Sequence, residues 1–301
     1  MHAQVPWRWE ALLRLFAGVL TCVLIGSWLG LLGVSYGSPQ GVRIRWLALP
    51  GLGGLLVALA LTWRPWPWEA IRSRLVGFSV SFYLGLGLLS LAHQWIEHSK
   101  DDPPGYQQVV LAGLSFQGAT LILITKFLRE HQIPWHRAFG LNQHPGRAAF
   151  MGVAAGTAAL LPAWTLQILS GTVLQKFHQE TEVQVAVQVL QTTTGWLPQL
   201  ALAAVAIGLA PVAEEALFRG LLFRTLYQAN FRRLAWIGSS LLFAWVHAHV
   251  TSFVALVFLS LWLTWLYNRT GNLLAPIVAH AVFNALNFAA LQVYQRGWNL
   301  P

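Results

Sequence analysis

Long apolar runs separated by short polar connections make up almost the whole chain. A helix needs about 20 apolar residues to cross the hydrocarbon core of a bilayer, so runs of about this length predict membrane-spanning helices. The predicted spans are 13–36, 46–63, 75–96, 108–128, 148–171, 196–213, 234–250, 251–267 and 273–293. We count about nine spans and keep eight as the alternative. The run that ends at Pro211 can continue as one kinked helix, and the spans 234–250 and 251–267 have almost no loop between them. The sequence therefore predicts an all-α, polytopic transmembrane helix bundle.

The polar connections are too short to form a soluble domain. The longest, at about 129–147 and 172–195, cannot bury a core of their own. We therefore predict one continuous membrane domain with two sections. Residues 1–145 form apolar helices rich in Gly and Trp and without a recognised motif, whereas 146–301 contains every ionisable group that we single out inside an apolar segment.

Composition supports the membrane assignment. Of the 301 residues, 56% are hydrophobic and only 10% are charged, which departs from the balance of a soluble globular protein. The formal charge of +9 could indicate a nucleic-acid partner. The basic residues lie at helix ends rather than in one patch, however, so we predict no nucleic acid and expect the lipid bilayer to be the surrounding partner.

The distribution of Lys and Arg predicts the topology. With the N-terminus in the cytoplasm, 14 of the 19 basic residues fall on the cytoplasmic side, as expected for short loops of membrane proteins. The five on the other side are Arg43, Arg45, Lys100, Lys176 and Arg296. The expected location is the plasma membrane of the cell, with a cytoplasmic N-terminus.

Three polar signatures interrupt the apolar segments of the C-terminal section. They are Glu214-Glu215-Ala-Leu-Phe-Arg219, Phe243-Ala-Trp-Val-His247 and His280-Ala-Val-Phe-Asn284. Of the ten acidic residues, only Glu214 and Glu215 have apolar surroundings, since the other eight lie in or beside polar connections. Ionisable residues inside a membrane are costly and usually functional, so these signatures define the candidate site.

Helical periodicity predicts which of these side chains share a face. Glu215 and Arg219 are four residues apart and can pair, whereas Glu214 is rotated by about 100° and can face elsewhere. One carboxylate is then neutralised structurally and the other is available for chemistry. His280 and Asn284 are also four residues apart and share a face of the last helix.

The residue types support two kinds of chemistry. A carboxylate and a histidine can polarise a water molecule for attack on an amide carbonyl, and a second histidine with an asparagine amide can stabilise the oxyanion that forms. Alternatively, one glutamate and two histidines from different helices can hold a divalent metal such as zinc, which activates the water. The sequence leaves the metal question open.

Together and in this order, the three motifs resemble the CPBP family, also called Abi. This family of intramembrane endopeptidases includes the CAAX prenyl endopeptidases and bacteriocin-processing or immunity proteins. The resemblance covers roughly the last hundred residues. It implies that Glu214 and His247 activate water, that His280 and Asn284 support the oxyanion, and that Glu215 and Arg219 are architectural.

The resemblance also implies a kind of substrate and a mechanism. The expected partner is a membrane-associated protein or peptide, such as a prenylated protein of the CAAX type. The mechanism implied is either metal-dependent or glutamate-based.

Two other functions are compatible with polar groups in a membrane. A proton- or ion-coupled transporter could use the carboxylates and histidines as an ion relay, but we find no inverted internal repeat of the kind common in such proteins. A noncatalytic scaffold or immunity protein could bind a partner through the same cavity. His280 and Asn284 could also simply link helices by hydrogen bonds. The presence of all three motifs favours the enzyme.

The predicted helix boundaries place the two histidines at different depths. His247 lies some 13 residues beyond Arg233, or ~20 Å along a helix, whereas His280 is only about seven residues into the last span. A kinked glutamate helix, a tilted helix or a shifted boundary would be needed to bring both histidines to the glutamates.

Overall fold

The computed structural model describes residues 7, 11–12, 15–16, 106–177, 184–247 and 249–295. The predicted spans 46–63 and 75–96, and nearly all of 13–36, lie outside the described residues. The chain divides into two compact units: Met1–Leu15 with Ile124–Pro301, and Phe16–Leu123. The candidate site lies wholly in the first unit.

Helices account for the regular structure of the described residues, and no strand occurs among them, which confirms the all-α prediction. In chain order they are α1 (Tyr106–Glu130), α2 (Trp135–Ala138), α3 (Pro145–Lys176), α4 (Val185–Thr192), α5 (Trp196–Gln228), α6 (Leu234–Trp245), α7 (Val250–Thr270) and α8 (Leu274–Gln295). Segments of α1, α3, α5, α7 and α8 are long and apolar enough to cross a membrane. The total of eight to nine spans stays a prediction, because it also depends on residues before 106.

The helix that carries the glutamates is continuous. α5 runs for 33 residues through Pro211 and both glutamates, so the run predicted at 196–213 extends to Gln228. Two π-helical stretches, Ala204–Leu209 and Ala216–Phe223, flank the short α-helical segment that holds the carboxylates. A π-helical turn is wider than an α-helical turn, changes which side chains face a neighbouring helix, and often occurs at functional sites.

α6 is shorter than the predicted span 234–250. Its 12 residues extend about 18 Å, less than the ~30 Å hydrocarbon core. The helix ends at Trp245 and His247 lies in the turn that follows. His249 caps α7: its Nδ1 accepts a hydrogen bond from the Ser252 backbone N–H at 3.2 Å. This cap gives α7 a start of its own, so the apolar run is divided into two helices.

Small residues let α3 pack closely against α8. Gly152 and Gly156 of α3 face the backbone of Ala275 and Ala279, so that a Cβ at Gly156 would lie 2.4 Å from the Ala279 carbonyl oxygen. Such close approach is the common way for membrane helices to associate. Because Ala279 precedes His280, this contact also sets the position of a candidate site residue.

We expect Gly156→Ala to destabilise the protein by about 1–3 kcal/mol, because the new methyl group must push α8 away from α3. Gly146→Ala is the matched control in the same helix, since a Cβ there meets nothing within 4 Å. Thermal unfolding in detergent micelles measures both. Equal stability of the two variants would contradict the close contact.

Candidate active site

Glu215 and Arg219 form a buried ion pair within α5. Arg219 Nη1 donates to Glu215 Oε1 at 2.9 Å, and the side chains of Arg219 and Glu215 are 1% and 0% exposed, so the predicted i, i+4 pairing is observed. Arg219 Nη2 donates to the Ser260 carbonyl at 3.0 Å and to its hydroxyl at 2.9 Å, which links α5 to α7. The guanidinium also lies 4.6 Å from the centre of the Phe243 ring. These contacts compensate a cation removed from water.

Glu215 also orients His280. The same Oε1 atom lies 2.9 Å from His280 Nδ1. A carboxylate that is paired with a guanidinium can only accept a hydrogen bond, so Nδ1 of His280 carries the proton. His280 is buried, and its other nitrogen, Nε2, lies 4.0 Å from Glu214 Oε2.

His247 is held in a similar way. Its Nδ1 lies 2.7 Å from the Phe243 carbonyl oxygen, which can only accept, so Nδ1 again carries the proton. The Nε2 atom of His247 lies 3.9 Å from Glu214 Oε2, with the imidazole 30% and the carboxylate 14% exposed. The Phe243 ring packs against both imidazoles, at centroid distances of 4.8 and 6.0 Å.

The two imidazoles therefore approach one oxygen of Glu214. Separations of 3.9 and 4.0 Å are too long for direct hydrogen bonds but short enough for a bridging water. With Nδ1 protonated, a neutral histidine presents only a lone pair at Nε2, and an ionised Glu214 likewise only accepts. A water molecule that joins them must donate its protons, which is the arrangement that general-base activation of water requires.

Asn284 makes a contact between helices. It lies one turn beyond His280 on α8, as the periodicity predicted, and its Nδ2 donates to the Ala206 carbonyl at 2.8 Å. Ala206 belongs to the first π-helical stretch of α5. The helix-linking hydrogen bond that we considered for Asn284 is thus present, and its part in stabilising an oxyanion stays a prediction.

The two histidines approach Glu214 from different positions along their helices. His247 follows the last turn of a 12-residue helix rather than lying near the far end of a full span. His280 lies in the second turn of α8. α6 begins at the predicted residue, Leu234, and α8 begins within one residue of the predicted start, so a shifted helix start does not account for the meeting of the histidines at Glu214.

The same side chains are the candidates for binding a metal. Ligand atoms around one tetrahedral zinc are about 3.3 Å apart when each bond is about 2.0 Å. Glu214 Oε2 is 3.9 and 4.0 Å from the two Nε2 atoms. No group of three or more His, Cys, Asp or Glu side chains in the described ranges has the arrangement of a metal site. As placed, the side chains do not fit zinc, and metal dependence stays an untested alternative.

Sequence reasoning missed Ser260. Its 1% exposure and its two hydrogen bonds to Arg219 make it part of the site's support. The signal was present in the sequence, since Ser260 and Thr264 are polar residues one turn apart in the apolar α7, and both are buried. Phe243 packs against Phe218, Arg219 and both histidines.

Comparison with known protein families finds a match over the part of the chain that contains these residues. The family described as type II CAAX prenyl endopeptidase Rce1-like matches residues 195–286, a range that includes all six candidate site residues. Residues 195–286 are thus similar to the Rce1-like family. This match confirms the resemblance to the CPBP family of intramembrane endopeptidases.

A curated relative extends the similarity beyond this domain. The UPF0177 protein YxdF of Lactococcus lactis subsp. lactis (strain IL1403) is 24% identical over 176 residues, which cover 58% of this chain and 94% of that protein. No solved structure matches the chain significantly. The Rce1-like match and the apolar helices together indicate an integral membrane protein and support a CAAX-type intramembrane protease.

Proposed function

We propose that this protein hydrolyses a peptide bond near the C-terminus of a prenylated, CAAX-type protein or peptide that reaches the site from the membrane. The observation that supports the proposal most directly is the approach of two imidazole Nε2 atoms to Glu214 Oε2, at 3.9 and 4.0 Å. The Rce1-like match supplies the class of substrate.

In the proposed reaction, Glu214 and His247 bind a water molecule between them. The water oxygen attacks the carbonyl carbon of the scissile amide while one of its protons moves to Glu214. The carbonyl oxygen becomes an oxyanion, and the tetrahedral intermediate collapses when the C–N bond breaks and the proton on Glu214 passes to the leaving amine. The products are a new carboxylate on the substrate and a released C-terminal peptide.

His280 and Asn284 are the proposed donors to the oxyanion. Because Nδ1–H of His280 is engaged by Glu215, His280 can donate from Nε2 only as an imidazolium. The charges then balance, since two carboxylates (Glu214 and Glu215) face one guanidinium and one imidazolium. Asn284 has a second amide hydrogen besides the one directed to Ala206, and that hydrogen is the proposed donor.

A defined reporter tests the reaction. Protein reconstituted in liposomes is mixed with a farnesylated CAAX-type peptide that carries a fluorophore and a quencher on opposite sides of the expected bond. We expect cleavage by the wild type, with the released C-terminal fragment identified by mass spectrometry, and none by Glu214→Ala. The same peptide without the farnesyl group tests recognition of the lipid. Cleavage that persists unchanged in Glu214→Ala would refute the proposal.

The natural substrate is found by comparing cells that express the wild type with cells that express Glu214→Ala. Profiling the C-termini of membrane proteins identifies those shortened only in the first. Metal analysis of the purified protein, and cleavage assays with and without chelator, test the zinc alternative independently.

A further inference from the structure

A second polar feature lies away from the glutamates, where the first turn of α3 meets the last turn of α7. It is a cavity of about 180 Å³ whose polar lining includes Gln143, His144, Arg147 and Arg269. Met151 adds an apolar surface to the same cavity. None of these residues takes part in the proposed hydrolysis.

The cavity brings two positive charges together, and no carboxylate among the described residues pairs with either of them. Arg147 and Arg269 come from different helices, and both side chains are exposed. Within the described part of the chain, neither forms an ion pair with a carboxylate. Two guanidinium groups beside one concave surface attract an anion, and their planar donor arrays suit the oxygens of a phosphate.

The two helix ends that carry these arginines are joined rigidly. Asn272, which is fully buried, donates from Nδ2 to the Gln143 carbonyl at 2.7 Å and to the Leu141 carbonyl at 3.4 Å. The Leu273 backbone N–H donates to the Phe139 carbonyl at 3.0 Å. The connection after α2 is thus tied to the connection after α7, and these bonds hold the two arginine-bearing helix ends next to each other.

Each arginine continues into an apolar stripe along its own helix. On α7, Phe258, Trp262, Trp265 and Arg269 follow one another at steps of four, three and four residues and so share a face. The Trp262 and Trp265 rings stack with centroids 5.0 Å apart, and Trp265 is 44% exposed. From Arg269 to Phe258 the stripe extends ~16 Å along the helix axis.

The facing stripe on α3 matches it. Arg147, Met151 and Ala155 are each four residues apart, and Trp262 Nε1 donates to the Ala155 carbonyl at 3.0 Å, so the two stripes lie side by side. A charged group at one end with an apolar track leading away from it is the shape of a phospholipid rather than of a free anion. Both arginines also fall on the side that the charge rule predicts to be cytoplasmic, where anionic lipids are concentrated.

We propose that this cavity binds the phosphate headgroup of an anionic phospholipid through Arg147 and Arg269, with an acyl chain lying along the Phe258–Trp262–Trp265 stripe. This inference does not depend on proteolytic activity. It assigns to the protein a fixed lipid that is separate from any prenylated substrate.

Native mass spectrometry of the full chain in detergent tests the proposal by titration with phosphatidylglycerol and with phosphatidylcholine of the same acyl chains. We expect tighter binding of phosphatidylglycerol. Each Arg→Gln substitution is expected to weaken that binding about fivefold, and R147Q with R269Q together about thirtyfold, because each cation contributes its own attraction to an anionic headgroup. Arg233→Gln, which removes an equally exposed arginine outside the cavity, is expected to bind like the wild type.

Two outcomes of the lipid titration would contradict the proposed site. Equal affinity for the two lipids, or unchanged phosphatidylglycerol binding in the double variant, would overturn the proposal. Displacement of the lipid by inorganic phosphate at a similar concentration would assign the cavity to a free anion and would also overturn it. Thermal unfolding checks that every compared variant is folded, which we expect because both arginines are exposed and their removal leaves no buried group unpaired.

Discussion

Glu214→Gln is expected to lower kcat/KM for cleavage of the prenylated reporter about 10²–10⁴-fold, because the amide keeps the shape of the carboxylate but cannot take a proton from water. The substitution leaves the buried network intact, since Arg219, Ser260 and His280 Nδ1 are held through Glu215 and not through Glu214. Initial rates in liposomes, together with a thermal unfolding curve for each variant, measure the effect on chemistry separately from any effect on folding.

A matched carboxylate serves as the control. Glu130 is more than half exposed and pairs with Lys126 at 3.7 Å on the surface of α1, so Glu130→Gln is expected to leave the rate unchanged.

A second control compares the rate loss of a double variant with the losses of the two single variants. If Glu214 and His247 act on one water, adding His247→Ala to Glu214→Gln should cost little more than the single change. Multiplied losses, or a Glu214→Gln variant with more than a tenth of the wild-type rate, would remove Glu214 from the proposed role.

The sequence could predict the contacts that one helix sets by itself. The pairing of Glu215 with Arg219 needs only the spacing of an α-helix, because side chains four residues apart are neighbours in any helix. The shared face of His280 and Asn284 follows in the same way. The all-α class followed from the length and hydropathy of the apolar runs. For the described residues, none of these three conclusions required knowledge of how the helices pack.

Contacts between helices were beyond that reasoning. Whether His280 meets Glu215 or Glu214 depends on the rotation of α5 about its own axis, and the π-helical stretches on either side of the glutamates change that rotation in a way that residue spacing does not show. The recognised motifs indicated that the three segments would meet. Their geometry, with one carboxylate fixing His280 and the other facing both imidazoles, came only from the structure.

The boundary of α6 shows a different limit. A hydropathy window counts apolar residues and does not detect a chain that turns within an apolar run. The prediction separated the spans 234–250 and 251–267 but missed the turn at His247 and the cap formed by His249, which end α6 earlier, at Trp245. Ser260 was overlooked for a related reason, since one hydroxyl in an apolar helix usually bonds to its own backbone, and its use by Arg219 depends on a partner 41 residues away.

Arg219→Met is expected to destabilise the protein by about 3–5 kcal/mol, because it leaves the Glu215 carboxylate buried without its cation. The Glu215 side chain is 0% exposed, so water cannot replace the lost partner. Unfolding in detergent measures the loss. Lys126→Met removes the cation of a surface pair whose side chains are 35% and 58% exposed, and is expected to change stability by less than about 1 kcal/mol.

The double variant Glu215→Leu with Arg219→Met separates the effect of the ion pair on protein stability from its effect on the orientation of His280. Replacing both members of a buried pair by apolar side chains of similar size often restores stability, so most of the loss should be recovered. Cleavage should not recover, because Nδ1 of His280 then has no carboxylate to fix its proton and Nε2 is no longer directed at Glu214. A stable double variant with wild-type kcat would mean that the pair only holds the helices together. A stable but inactive one would identify Glu215 as the residue that positions His280.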